Sequence, residues 1–246
     1  MSEEKELHFK RPPIEEALIG FQCSIEGASL PGWVEETADR LASRISDEYP
    51  NKEPIHQAQF TFDGKTATAR NDVIGYRFRN KTNTQIVQLL RGAFAFSRLR
   101  PYETWHLMRD EAKKQWEIFQ ATVGEFKINS CSLRYVNKFS IPENDKISEY
   151  LSFFLEVPPS ISKKTENYLA RIETKMSNPD CIAALQQVQL PRDQPEMLTL
   201  VVDNEFKVAA EGRSNEELWQ TLEQLRHLKN RIFMEMFTDK AKEMFD

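Results

Sequence analysis

This chain carries none of the short motifs that announce an enzyme. Its eight glycines form no GxGxxG turn and no Walker loop, and HExxH and GxSxG are likewise missing. Histidine is scarce. His8, His56, His106 and His227 are far apart, and none has a Cys or Asp partner at metal-ligand spacing, so no metal site is expected. Cysteine is scarcer still. Cys23, Cys131 and Cys181 are odd in number, widely spaced and form no CxxC, so each is expected to pack as a small hydrophobe in a reducing compartment. No apolar run approaches the roughly 20 residues that cross a bilayer, and a membrane partner is not expected. The opening "MSEEKELHFK" is acidic and polar rather than signal-like, which points to the cytoplasm.

What is present is the balance of a folded domain. Hydrophobic residues make up 40% and charged residues 29% of 246, with a net charge of −5. That charge favours solubility and argues against a uniformly basic nucleic-acid binder. Eight glycines and twelve prolines are too few for a low-complexity chain.

Apolar residues recur with two distinct periods. In "PPIEEALIGFQCSI", Ala17, Ile19, Phe21, Cys23 and Ile25 share one face, the period of a strand. "PGW" then opens a helix whose Val34, Ala38, Leu41 and Ile45 sit at helical spacing. Three strands are expected next, in "HQAQFTF", "IGYRFR" and "TQIVQLLRGAFAFSRL", with turns at Asp63-Gly64 and around Asn80 to Asn83. Pro101 ends the last strand, because proline cannot donate to a ladder. A helix with Trp105, Met108, Ala112, Trp116 and Phe119 on one stripe completes the first half.

The second half reads in the same order. "SLRYVNKFSI" is a strand with Leu133, Tyr135, Phe139 and Ile141 on one face. "NDKISEYLSFFLEV" reads as a short helix, and "ENYLARIETKM", "CIAALQQVQL" and "EMLTLVVDNEFKVA" as three strands. Ser214 and Glu217 form a capping box for a terminal helix that buries Leu218, Leu222, Leu225, Leu228 and Ile232. Its "RIFMEMF" end suits either core or a partner-binding face. The expected fold is α+β: two tandem strand-helix-three-strand-helix units, 1–124 and 125–246, in one cooperative globule. Antiparallel sheet with helices on one face and a pseudo-twofold relation would follow. At fold level such an order resembles the saddle of TATA-binding protein, which implies nothing about function.

The sharpest functional signal is the segregation of charge. From Val73 to Tyr102 there is no acidic residue, while Arg77, Arg79, Lys81, Arg91, Arg98 and Arg100 supply six positive charges. Arg77 and Arg79 alternate with Tyr76 and Phe78, placing the arginines opposite the core and the aromatics toward it. Arg134 and Lys138, four apart, occupy the corresponding face of the first strand of the second half. Two readings stand: an ordinary solvated face paired with acidic helices, or a basic surface for phosphate, nucleic acid or an acidic protein. Aromatics turned inward weaken base stacking. Glu15-Glu16, Glu35-Glu36 and Glu216-Glu217 are adjacent pairs that point apart, and read as solvated. In "FSRLRPYETW", Phe94, Phe96 and Trp105 are structural, Pro101 fixes a corner, and Glu103 falls in the first turn of the helix.

Four stretches, "RPPIEEALIGF", the "RLRPYETW" corner, "LRYVNKFSIP" and "LRHLKNRIFMEMFT", together resemble a sporadically distributed family of bacterial proteins with no established activity or catalytic residues. The resemblance covers most of the chain. The family's patchy occurrence is similar to that of mobile antiviral-defence or toxin-antitoxin genes. It implies a non-catalytic binding protein of such an accessory system, recognising a partner protein or nucleic acid through its basic sheet face, without cofactors. The alternative is an enzyme or sensor for an anionic, phosphorylated small ligand held between the halves, with Arg77, Arg91, Arg134 and a carboxylate such as Glu16. Self-association is compatible with either.

Overall fold

Strand alternation in the first apolar stretch becomes β1 (Ile14–Ile25), and Ala17, Ile19, Phe21, Cys23 and Ile25 are all buried. A left-handed Gly32, with φ 79°, delivers the chain into α1 (Trp33–Ile45). Val34, Ala38, Leu41 and Ile45 form its buried stripe. β2 (Asn51–Phe62), β3 (Ala67–Arg79), β4 (Gln85–Leu90) and β5 (Ala93–Leu99) follow, then α2 (Trp105–Val123) and β6 (Phe126–Pro142). A short 3-10 turn at Ile147–Glu149 precedes β7 (Leu169–Ser177), β8 (Asp180–Gln189) and β9 (Met197–Ala209). α3 (Asn215–Met236) and α4 (Asp239–Phe245) close the chain. The computed structural model describes residues 9–62, 67–154, 158, 160, 168–191 and 196–246, and side chains within these ranges except at 59–62 and 67–70. His8, the Asp63-Gly64 turn and the end of "NDKISEYLSFFLEV" lie outside the described residues.

The fold is α+β. Among the described residues nine strands are ordered β2-β3-β4-β5-β1-β6-β9-β8-β7 in one sheet, with antiparallel pairing in each of the hairpins β2–β3, β3–β4, β4–β5, β7–β8 and β8–β9. Backbone contacts gather the chain into two compact units. We term N-proximal the unit of Ala17–Ser132 and Val208–Trp219. The C-proximal unit takes the residues up to Glu16, Leu133–Lys207 and Gln220–Asp246.

Three expected elements come out differently. The "TQIVQLLRGAFAFSRL" stretch is two strands, β4 and β5, joined at Arg91-Gly92, with Leu90 paired to Ala93. Gly92 lets that tip approach β1 closely: its carbonyl accepts from Cys23 N at 2.8 Å, and an added Cβ would sit 3.3 Å from Cys23 O. The segment expected as a short helix in "NDKISEYLSFFLEV" holds only the 3-10 turn among the described residues. Its buried Tyr150 and Leu151 are tied instead to the end of α3, Leu151 by a bridge to Phe237 and Tyr150 O by Thr238 N. The first half therefore has four strands after its helix, and the second has no comparable helix after β6 among the described residues. One shared element order is not observed among the described residues. The third change is at the start of α2. Thr104 is its cap, accepting from Leu107 N at 3.3 Å, so Glu103 precedes the helix instead of lying in its first turn.

In the N-proximal unit α2 lays Trp116 on β1 and β5. Its ring lies 4.4 Å from Phe21 and 5.3 Å from Phe94, and Phe119 stacks beside it at 5.3 Å. In the C-proximal unit β6 presents Phe139 to Phe237 and Phe245 at 5.4 and 6.0 Å. Phe233, Met236 and Phe237 of "RIFMEMF" are buried there, so this segment is core. The Ser214–Glu217 capping box forms as the sequence implies: each backbone N–H is met by the other's side chain, at 2.7 and 3.3 Å.

Candidate binding face

Pairing register decides which charges share a surface. Across the N-proximal sheet, Glu53 of β2 lies opposite Arg77 of β3, which lies opposite Gln88 of β4. The adjacent row runs Asn51, Arg79, Ile86 and Ser97. Side chains of directly opposed residues point to the same side of a sheet, so Glu53, Arg77, Arg79, Gln88 and Ser97 belong to one face. The helix-covered side carries Phe78, Val87, Leu89, Phe94 and Phe96, all buried.

On that face one carboxylate serves two guanidiniums. Glu53 Oε2 lies 3.9 Å from Arg77 Nε and 3.5 Å from Arg79 Nε. The arginine side chains retain 38% and 25% of their exposure, so both are reachable from solvent. Arg77 Nε is itself buried without a hydrogen-bond partner, and so is Ser97 Oγ. A surplus of positive charge remains on the face, and the two unused polar atoms lie beneath its surface. Its aromatic neighbours point the other way: Phe78 is fully buried, and Tyr76, half-buried, lies beneath Lys52 Nζ at 4.3 Å.

The other cations in the acid-free stretch are dispersed. Lys81 is exposed in the β3–β4 loop, Arg91 at the β4–β5 tip, and Arg100 beyond the end of β5. Arg98 does not share the face of Arg77 and Arg79. It pairs in register with Gln85 and stands on the side of Phe94 and Phe96, where it forms an ion pair with Glu103. This is the "FSRLRPYETW" corner, in which Phe96 and Trp105 are buried. Tyr49 hydroxyl lies 2.9 Å from both Gln85 Oε1 and Glu111 Oε1, and Gln115 Nε2 donates to the same Glu111 oxygen at 2.8 Å. Burial, and then Glu111 beside it, hold the Tyr49 phenol far above its ordinary range. A phenol so firmly protonated serves as a donor, not a base.

Arg134 and Lys138 belong to the C-proximal unit. Arg134 is clamped by Asp203, with Nε to Oδ1 at 2.8 Å and Nη2 to Oδ2 at 2.6 Å. Lys138, half-exposed, has its backbone N bonded to Pro13 O at 2.8 Å. Of the eight cations expected to act together, register therefore unites Arg77 and Arg79, and sends Arg98 to the opposite side.

Glu53 and Ser97 are the residues sequence reasoning missed. The apolar pattern starts β2 at His56, because Pro54 interrupts it, yet the strand begins at Asn51. As an edge strand β2 tolerates the missing donor. Among the described residues no three of His, Cys, Asp and Glu gather as a metal site. No protein-family model matches the chain, and no curated protein matches it.

Proposed function

We propose that this chain is a non-catalytic binding protein, of a kind suited to a bacterial accessory system, that takes an acidic protein partner on the face formed by β2, β3 and β4. The observation that carries the reading is the sharing of Glu53 by Arg77 and Arg79. An incoming carboxylate would complete the second ion pair through the solvent-reachable parts of the two guanidinium side chains. Bidentate guanidinium–carboxylate contacts suit a protein partner. A nucleic acid would seek exposed aromatic platforms for its bases, and Tyr76 and Phe78 are turned toward the helices.

The test uses two labelled probes of equal charge, a glutamate-rich peptide and a single-stranded oligonucleotide, titrated into the full chain and into the Arg77→Gln/Arg79→Gln variant. Charge-assisted bonds are worth about 1.5–3 kcal/mol each, so losing them should weaken peptide binding by at least about tenfold. A melting curve establishes that the variant is folded, so that a loss of binding reports on the face. Binding unchanged in the variant would reject the face. Tight oligonucleotide binding with none to peptide would reassign the partner to nucleic acid.

A further inference from the structure

Independently of that face, β7 ends the strand order, and its outward edge meets no other strand among the described residues. Its side chains are mostly exposed, Leu169 at 68% and Ile172 at 40%. The hydrogen-bonding parity of this edge can be read from its hairpin. Gln189 N donates to Tyr168 O at 2.9 Å, and the pairing continues without a shift from Leu169 with Val188 to Ser177 with Asp180. In an antiparallel pair, alternate residues direct both backbone groups to the same side. Even-numbered residues therefore face β8, and Leu169, Arg171, Glu173 and Lys175 direct their N–H and C=O groups outward. No backbone bond to these groups exists among the described residues.

We propose that β7 is a self-pairing edge, and that two copies of this chain join antiparallel about a twofold axis through Ile172. In that register the Arg171 of one protomer stands opposite the Glu173 of its partner, and the reverse pair forms by symmetry. Both positions are among those whose backbone groups point outward, so the ion pairs coincide with hydrogen-bonded pairs of the new ladder. Ile172 meets its own copy at a non-hydrogen-bonded pair, where opposed Cα atoms approach to about 4.5 Å. That contact covers an isoleucine the single chain leaves exposed. Leu169 falls opposite the partner's Lys175, whose aliphatic stem it can cover.

Neighbouring registers fail for stated reasons. A twofold at Glu173 would oppose that carboxylate to itself and Arg171 to Lys175. A twofold at Arg171 would oppose the guanidinium to itself. A twofold at Thr174 would match Glu173 with Lys175, but would set Leu169 against Pro179, which cannot donate, and shorten the ladder. Charges on an edge strand ordinarily discourage pairing. Here their order, Arg-x-Glu about a central isoleucine, makes the edge complementary to itself.

Sedimentation velocity of the full chain, from low micromolar to several hundred micromolar, tests the proposal. The wild type should show a reversible dimer, and Ile172→Lys should be monomeric throughout. Arg171→Glu and Glu173→Arg should each raise the dissociation constant at least about tenfold, while Arg171→Glu/Glu173→Arg should restore it. Circular dichroism and melting curves establish that each variant is folded. Hydrogen exchange on the wild type gives a second readout: Arg171 and Glu173 amides should be protected at high concentration and lose protection on dilution. A chain that stays monomeric, a dimer indifferent to Ile172→Lys, or a double swap that fails to restore association would each overturn the proposal; the last would exclude this register.

Discussion

Arg134 and Asp203 meet in a two-point ion pair, Nε to Oδ1 at 2.8 Å and Nη2 to Oδ2 at 2.6 Å. That contact compensates the charge of Arg134 within the chain. The hydrogen bonds that Arg134 donates to Asp203, with Asp203, Glu16 and Glu205 charges adding to them, hold the guanidinium above its ordinary value despite partial burial. Asp203 is the more enclosed partner, at 13% side-chain exposure against 41% for Arg134. Removing the arginine should therefore hurt more than removing the carboxylate, because it strands the less solvated charge. After allowing for solvent screening at Arg134, Arg134→Gln is expected to cost roughly 1–2 kcal/mol. Asp203→Asn should cost less, and the double variant less than the two together. Urea unfolding of the four proteins checks this through a double-mutant cycle.

Trp116 is the keystone of the N-proximal core. It is fully buried among Phe21, Phe94 and Phe119, with Nε1 3.3 Å from Asn215 Oδ1. Trp116→Ala should cost about 3–5 kcal/mol, the usual range for emptying a large core site. Trp116→Phe should cost distinctly less, since it keeps most of the ring packing. Equal midpoints for the two variants in guanidinium unfolding would show that packing at this site does not carry the stability assigned to it.

Stability should fall at alkaline pH through the buried thiols. Burial pushes Cys23 up from 9.0 to about 12, and Cys131 up to about 11. The folded state therefore holds these protons to higher pH than the unfolded chain does. Their contribution is fully present below pH 9.0 and declines as pH rises toward about 12 for Cys23. Cys23→Ala should flatten this decline by at most about 1.4 kcal/mol per pH unit. The measurement is denaturant unfolding of wild type and variant across the alkaline range. A parallel slope in the two proteins would exclude Cys23 as a source. Below pH 9 the same burial should keep all three cysteines unreactive toward thiol reagents until the chain unfolds, as all three are free and buried.

Elements whose pattern is local are legible in the amino-acid sequence alone. β1, α1, α2 and α3 each bury the stripe that their periodicity marks, because a single helix or strand must hide its apolar side whatever its neighbours are. The capping box at Ser214 and Glu217 is readable for the same reason, since both partners lie within one turn. The β4–β5 hairpin is not. Apolar residues continue through Leu89, Leu90, Ala93 and Phe94 with only Arg91-Gly92 between, so the pattern gives little sign that the chain reverses. The expected second-half helix yields to tertiary contacts, as Leu151 pairs with Phe237, 86 positions away in the chain.

The sequence by itself determined that the chain is α+β and which residues its helices and most of its strands bury, because amphipathic periodicity is a property of short segments. It also placed six cations in one acid-free stretch. Only tertiary structure decided what those cations do. Pairing of Glu53 with Arg77, and of Gln85 with Arg98, depends on register across hairpins, and opposed positions on neighbouring strands share a face. Register put Arg77 and Arg79 beside one carboxylate on one side of the sheet and turned Arg98 to the other, toward the helices. Charge can be counted along a chain, but its compensation is settled by which strands lie side by side.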